Sequence, residues 1–378
     1  MCSVSNARLY EQVVAFGVSA CASGTMFRLW WRLGPQERRG VWTRYGWFSG
    51  LMLCGSCFGV VAWLAWMFFL AFNITNRGFP REARQSDNAA ESMLVFAQMA
   101  RWLTVYVVTY AIEFLCLSAA KLLVLDRMAG FTYTKARGAS KGWVVWSRVG
   151  LAAVVAGNLV GLAGNIAAAV YFQRAADYYS AASAAYFINN TSDGYALSNL
   201  ATQQGHSAMD IQSLQSFCEV AVLLLIIVAF AVVGVASYRR ITSALLVLTG
   251  ASGAEARYIQ RQIMGTAAFV FVTFLLRAVY STMFALANAF QNISSASDCS
   301  DQSNLCSSTC FNQYRLMQLW IGFTPEFQLM IVFISSPISL LVALWGMTSN
   351  RTLQLMRCNH RDGLPISAAS SSMLQQSA

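Results

Sequence analysis

The chain has 378 residues, of which 57% are apolar, 13% aromatic and only 11% charged, where a soluble domain carries about 25% charged residues. That composition excludes an ordinary soluble or disordered protein, and without a Pro/Gly-rich linker the chain reads as one membrane domain, 1–347, followed by a tail, 348–378. Lys and Arg exceed Asp and Glu by ten, but they sit in short clusters between apolar blocks, so the expected partner of that charge is the lipid bilayer and not nucleic acid.

Taken in chain order, the blocks are judged by whether about 20 residues cross a hydrocarbon core of about 30 Å. Leu9 to Trp31 is the weakest, because Glu11 and Arg28 stand near its ends; it reads as a spanning helix whose charges snorkel, with an interfacial helix or a signal peptide as the alternatives. Phe48 to Phe72, Trp102 to Leu125, Val144 to Phe172, Phe217 to Ser237 and Gly265 to Phe290 are clear spans, and Phe323 to Met347 is clear apart from Pro337. The expected fold is therefore all-α, a polytopic bundle of seven transmembrane helices, or six if 9–31 is interfacial. After the last block, Leu353 to Cys358 is amphipathic and the remainder is Ser-rich, which predicts a disordered end and makes Cys358 a palmitoylation candidate.

Orientation follows from the connections. Segments 32–47, 126–143, 238–264 and 348–378 hold four, four, four and three Lys or Arg. The alternate segments 1–8, 73–101, 173–216 and 291–322 hold one, four, one and one, which puts the C-terminus in the cytoplasm. Glycosylation sequons at Asn73, Asn189, Asn190 and Asn292 fall on the segments assigned outside, and one at Asn350 does not. Cys299, Cys306 and Cys310 cluster in a polar outer connection, and an external Cys2 makes four, so disulfides are expected there. Cys54 and Cys57 have a redox-like spacing inside an apolar helix, where Gly55 and Gly59 favour close helix packing instead.

No catalytic motif is present, and an enzymatic role is not expected. His206 and His360 are the only histidines and lie outside the apolar blocks, so neither an intramembrane His-based metal site nor a cofactor is expected. What the blocks do contain is polar groups, each costing about 2.5–3.5 kcal/mol at mid-bilayer if charged. These are Glu113, Lys121 and Tyr110 on the third helix, Asn158 and Asn165 on the fourth and Arg277 on the sixth. Tyr106, Tyr110, Glu113, Leu117 and Lys121 form one stripe that must face the bundle. Asn158 and Asn165, beside the small residues Ala153, Gly157 and Gly161, predict interhelical hydrogen bonds. Counting 1.5 Å per residue inward from Trp102 and from Gly265 sets Glu113 and Arg277 at matched depth, which predicts that they pair.

Asp126-Arg127-Met128 ends the third block where rhodopsin-like receptors carry Asp-Arg-Tyr. It is a candidate cytoplasmic switch, with a charged pair closing a helix as the favoured alternative. In the last third, Gly265-Thr-Ala-Ala-Phe-Val-Phe-Val-Thr-Phe274-Leu-Leu-Arg277, preceded by Arg257 and Arg261, and Ser335-Ser-Pro337-Ile-Ser-Leu-Leu, resemble the sixth and seventh helices of the plant tobamovirus-multiplication family. The basic first connection, Arg28 to Arg32 and Trp42 to Trp47, is similar as well. That resemblance implies a receptor-like seven-helix protein of the plasma membrane or a vacuolar endomembrane, acting in signalling or membrane scaffolding, with a cytoplasmic protein partner at the basic loops and an unknown ligand. A channel or transporter subunit using the intramembrane Glu and Arg is the alternative.

Overall fold

The computed structural model describes residues 2–34, 44–78, 89–133, 141–245 and 251–295, with Leu316, Ile338, Ser339, Leu341, Val342 and Trp345 beyond them. Cys299, Cys306, Cys310, Pro337, Asn350 and Cys358 lie outside the described residues, as does most of the seventh apolar block. Among the described residues the regular structure is α-helical throughout: α1 (Cys2–Arg32), α2 (Tyr45–Gly78), α3 (Ala89–Tyr133), α4 (Lys141–Phe187), α5 (Thr191–Leu245) and α6 (Ala251–Ser295). Each contains a stretch long and apolar enough to cross a membrane, Val13–Arg32 of α1 included. Consecutive helices pack side by side, and α3 also packs against α5.

The distribution of side chains is the reverse of a soluble bundle. Val155, Leu159, Ile166 and Val170 on α4, Leu224, Val228, Val232 and Val235 on α5, and Val272, Leu275 and Val279 on α6 are all exposed at helical spacing. A continuous apolar exterior of that kind is stable against lipid and not against water. The interior, by contrast, holds Glu113, Lys121, Asn158, Asn165, Glu219 and Arg277 among its buried groups. This is the organisation of a multi-pass integral membrane protein.

Small residues set the helix spacing. A methyl group on Gly59 would stand 2.5 Å from the Phe16 ring of α1, and one on Gly55 would stand 2.7 Å from Leu117 of α3. Close packing is thus what Cys54-Gly-Ser-Cys57 serves, and Cys54 and Cys57 are free thiols. Ser56 also donates to Ser19 across the α1–α2 contact at 3.0 Å. Between α4 and α5 the close approach is at Gly157, where a methyl would meet Val222 at 2.4 Å; Ala153, expected in the same seam, is exposed.

The long connection expected at 173–216 is instead helical except at 188–190. Residues 173–187 carry six alanines, strong helix formers that hydropathy alone scores as loop. Four of them, Ala175, Ala176, Ala182 and Ala185, are buried. Asn190 N–H donates to Ala185 C=O at 3.0 Å and Asn189 N–H to Tyr186 C=O at 3.1 Å, with Asn189 left-handed at φ 59°. This is a Schellman closure with asparagine in the position glycine usually takes. Asn190 then caps α5, accepting from Asp193 N–H through Oδ1 at 3.3 Å and donating to the Asp193 carboxylate at 2.6 Å. Ser183 Oγ donates to Ala90 C=O at 2.6 Å, and Phe96 stacks on Tyr179, so the start of α3 packs against this hairpin.

Candidate functional site

The third-helix stripe faces the bundle interior as its spacing requires. Glu113 and Lys121 are buried, and Tyr106 and Tyr110 line an internal cavity with Arg277. The partner of Arg277, however, differs from expectation. Its Nε lies 3.6 Å from Glu219 Oε1, on α5, with both side chains almost fully buried. Sequence depth pointed to Glu113 because Phe217 was taken as the membrane edge, which left Glu219 at the interface. Since α5 is already helical from Thr191, Glu219 sits inside the bundle, opposite Arg277.

Three helices meet at this pair. Tyr110 of α3 donates its hydroxyl to Glu219 at 3.1 Å and accepts from Arg277 Nη2. Ser281, one turn beyond Arg277 on α6, donates to Glu219 Oε1 at 3.0 Å. The Arg277 guanidinium also lies over the Tyr110 ring at 5.2 Å, a cation–π contact that strengthens when water is excluded. Charge-assisted bonds of this kind satisfy most of what burial of the two ions would otherwise leave exposed to hydrocarbon.

Above the pair, a cavity is lined by Trp63 of α2, Tyr106, Asn165, Gln215, Glu219 and Arg277 among others. It leaves about 30 Å³ for the centre of a water, room for a few waters and not for a large substrate. A second, smaller space adjoins it at Arg277 and holds Glu113, Ser118, Lys121 and Phe274. A third lies between α3, α4 and α5 and contains Asn158, Asn165 and Glu219. Lys121 Nζ stands 4.3 Å above the Phe274 ring. Phe274 in turn belongs to a buried apolar cluster with Leu223, Ile226, Phe230 and Val270. Lys121 thus lies between this polar space and the apolar cluster around Phe274.

Asn158 does not bridge helices as expected: its Nδ2 donates to Val154 C=O of its own helix at 2.9 Å, a back-bond to the preceding turn. Asn165 is buried and faces the shared cavity, where Gln215 of α5 is its neighbour. At the far end of α3, Asp126 pairs with Arg44 at the start of α2 at 2.8 Å, both about half exposed. The helix runs on past Arg127 to Tyr133, so Asp126 joins two helices and does not close one. Asn189 and Asn190 stand exposed at the hairpin tip, Asn73 is on the last turns of α2 and Asn292 on the last turn of α6. Cys2 opens α1.

Sequence reasoning missed Glu219. The signal available was its position four residues before the run Leu223-Leu-Leu-Ile-Ile, too close to an uninterrupted apolar stretch for an interfacial acid.

Among the described residues, six membrane-length helices and a buried cluster on three of them define a polytopic helical membrane protein with an ion pair inside the bundle. No protein-family model, no curated protein and no solved structure matches the chain.

Proposed function

We propose that the chain is a receptor-like seven-helix membrane protein acting in signalling or as a membrane scaffold. In this reading Phe323 to Met347 is the seventh helix, the N-terminus is external and the C-terminus is cytoplasmic. The similarity of the last two apolar blocks to the tobamovirus-multiplication family agrees with it. So does the asymmetry of basic residues between alternate connections. The same orientation would put the Asn189 tip and Cys299, Cys306 and Cys310 outside, where glycans and a disulfide are proposed.

The observation that carries the proposal is the three-helix cluster itself. Glu219, Arg277 and Tyr110 fasten α3, α5 and α6, and the described spaces around them are the size of a few waters. Such a centre can hold two arrangements of three helices apart without passing anything through. The competing reading, a channel or transporter subunit, draws on the three adjoining cavities along α3.

Reconstituted vesicles separate the two. The receptor-like reading expects no proton or ion flux above lipid alone, an external tag on Met1 and a cytoplasmic tag on Ala378. A flux abolished by Glu219→Gln would move the assignment to transport, and protection of both tags would remove the receptor-like topology.

A further inference from the structure

Two buried atoms near the ion pair have no hydrogen-bond partner among the described residues: Glu113 Oε2, an acceptor on α3, and Arg277 Nη1, a donor on α6. Their residues are 2% and 5% exposed, and both line the same small cavity, with Ser118, Lys121, Leu223 and Phe274. Leaving either atom unpaired in hydrocarbon costs about 1–3 kcal/mol, and more for a charged group. One unpaired donor and one unpaired acceptor on residues that line a common space are complementary to a molecule that both accepts and donates.

Charge and size narrow its identity. The cavity is bordered by the Glu113 carboxylate and by the Lys121 and Arg277 cations, so a cation meets two positive groups and an anion meets a carboxylate. An uncharged guest avoids both penalties. The space leaves about 10 Å³ for a water-sized centre, which suits one water and no larger ligand. We infer that this cavity is a binding site for a single ordered water, which accepts from Arg277 Nη1 and donates to Glu113 Oε2. Through it Arg277 holds two carboxylates on two helices, Glu219 directly and Glu113 by way of the water.

The consequence is a two-sided anchor. Arg277 ties α6 to α5 by contact and to α3 by a replaceable molecule, and this holds whether the cluster serves signalling or transport. A bridging water is nearly as favourable as a direct bond and costs at most about 2 kcal/mol in ordering.

X-ray hydroxyl-radical footprinting of the purified full chain tests it, because bound water generates radicals beside side chains that bulk solvent does not reach. Phe274, 1% exposed, should be oxidised several-fold faster than Phe16 and Phe48, both fully buried in apolar surroundings. Equal rates at the three phenylalanines would overturn the proposal. In Glu113→Leu, which removes the acceptor, Phe274 oxidation should fall to the Phe48 level, and undiminished labelling in a folded variant would also overturn it. If Glu113→Leu does not fold, the wild-type comparison decides alone. Neither result depends on vesicle flux, so failure here leaves the functional reading standing or falling on its own experiment.

Discussion

Glu219 and Glu113 are both buried carboxylates beside Arg277, yet their surroundings differ. Glu219 accepts from Tyr110 and Ser281 and lies against the guanidinium; Glu113 keeps one oxygen without a partner among the described residues. Neutralising the first leaves Arg277 as an uncompensated charge, which for a buried pair costs about 3–5 kcal/mol. Neutralising the second exchanges one weak acceptor for another, at about 1 kcal/mol. Glu219→Gln should therefore lower the melting temperature in detergent far more than Glu113→Gln, and the reverse ranking would make Glu113 the anchor. The sequence identified Arg277, Tyr110 and Glu113 as interior groups, because charge inside an apolar block is costly whatever surrounds it. It could not identify the partner, since pairing depends on how three helices are rotated and staggered, and the start of α5 was hidden by its polar first half.

At the scale of the helices, apolar blocks gave the existence and order of α1 to α6, while their lengths were legible only where lipid demands hydropathy. The outer halves of α4 and α5 obey helix propensity and alanine packing instead, and their closure rests on Asn189 and Asn190. The glycines show the same division. Gly157 sits against Val222, whereas Gly205 in the polar half of α5 has nothing within 4 Å of an added methyl. Gly205→Ala should then stabilise the protein by about 0.5–1 kcal/mol through lower unfolded-chain entropy. Gly157→Leu should destabilise it by about 1–3 kcal/mol by wedging α4 from α5. Thermal unfolding of the two variants checks both signs, and a neutral Gly157→Leu would show that the α4–α5 seam is looser than the 2.4 Å approach requires.

For the molecule as a whole, lipid-facing aliphatic residues and a polar interior divide the work of stability. Apolar surface gives the helices their place in the bilayer without choosing their neighbours, since lipid tails are as apolar as leucine. Choice of neighbour falls to the close glycine contacts and to the cluster of Tyr110, Glu219, Arg277 and Ser281, which joins α3, α5 and α6 through hydrogen bonds at one point. If that cluster clamps the bundle as a pair of mutually compensating charges, its members cannot contribute independently. The decisive measurement is a double-mutant cycle on detergent-solubilised full-length protein, comparing the unfolding of Glu219→Gln, Arg277→Gln and the double substitution. The account predicts a double variant more stable than the worse single variant, because removing both charges leaves no unpaired ion in the interior. A double variant that loses the sum of the two single effects would contradict it, showing that Glu219 and Arg277 act separately and that the three helices are held by something else.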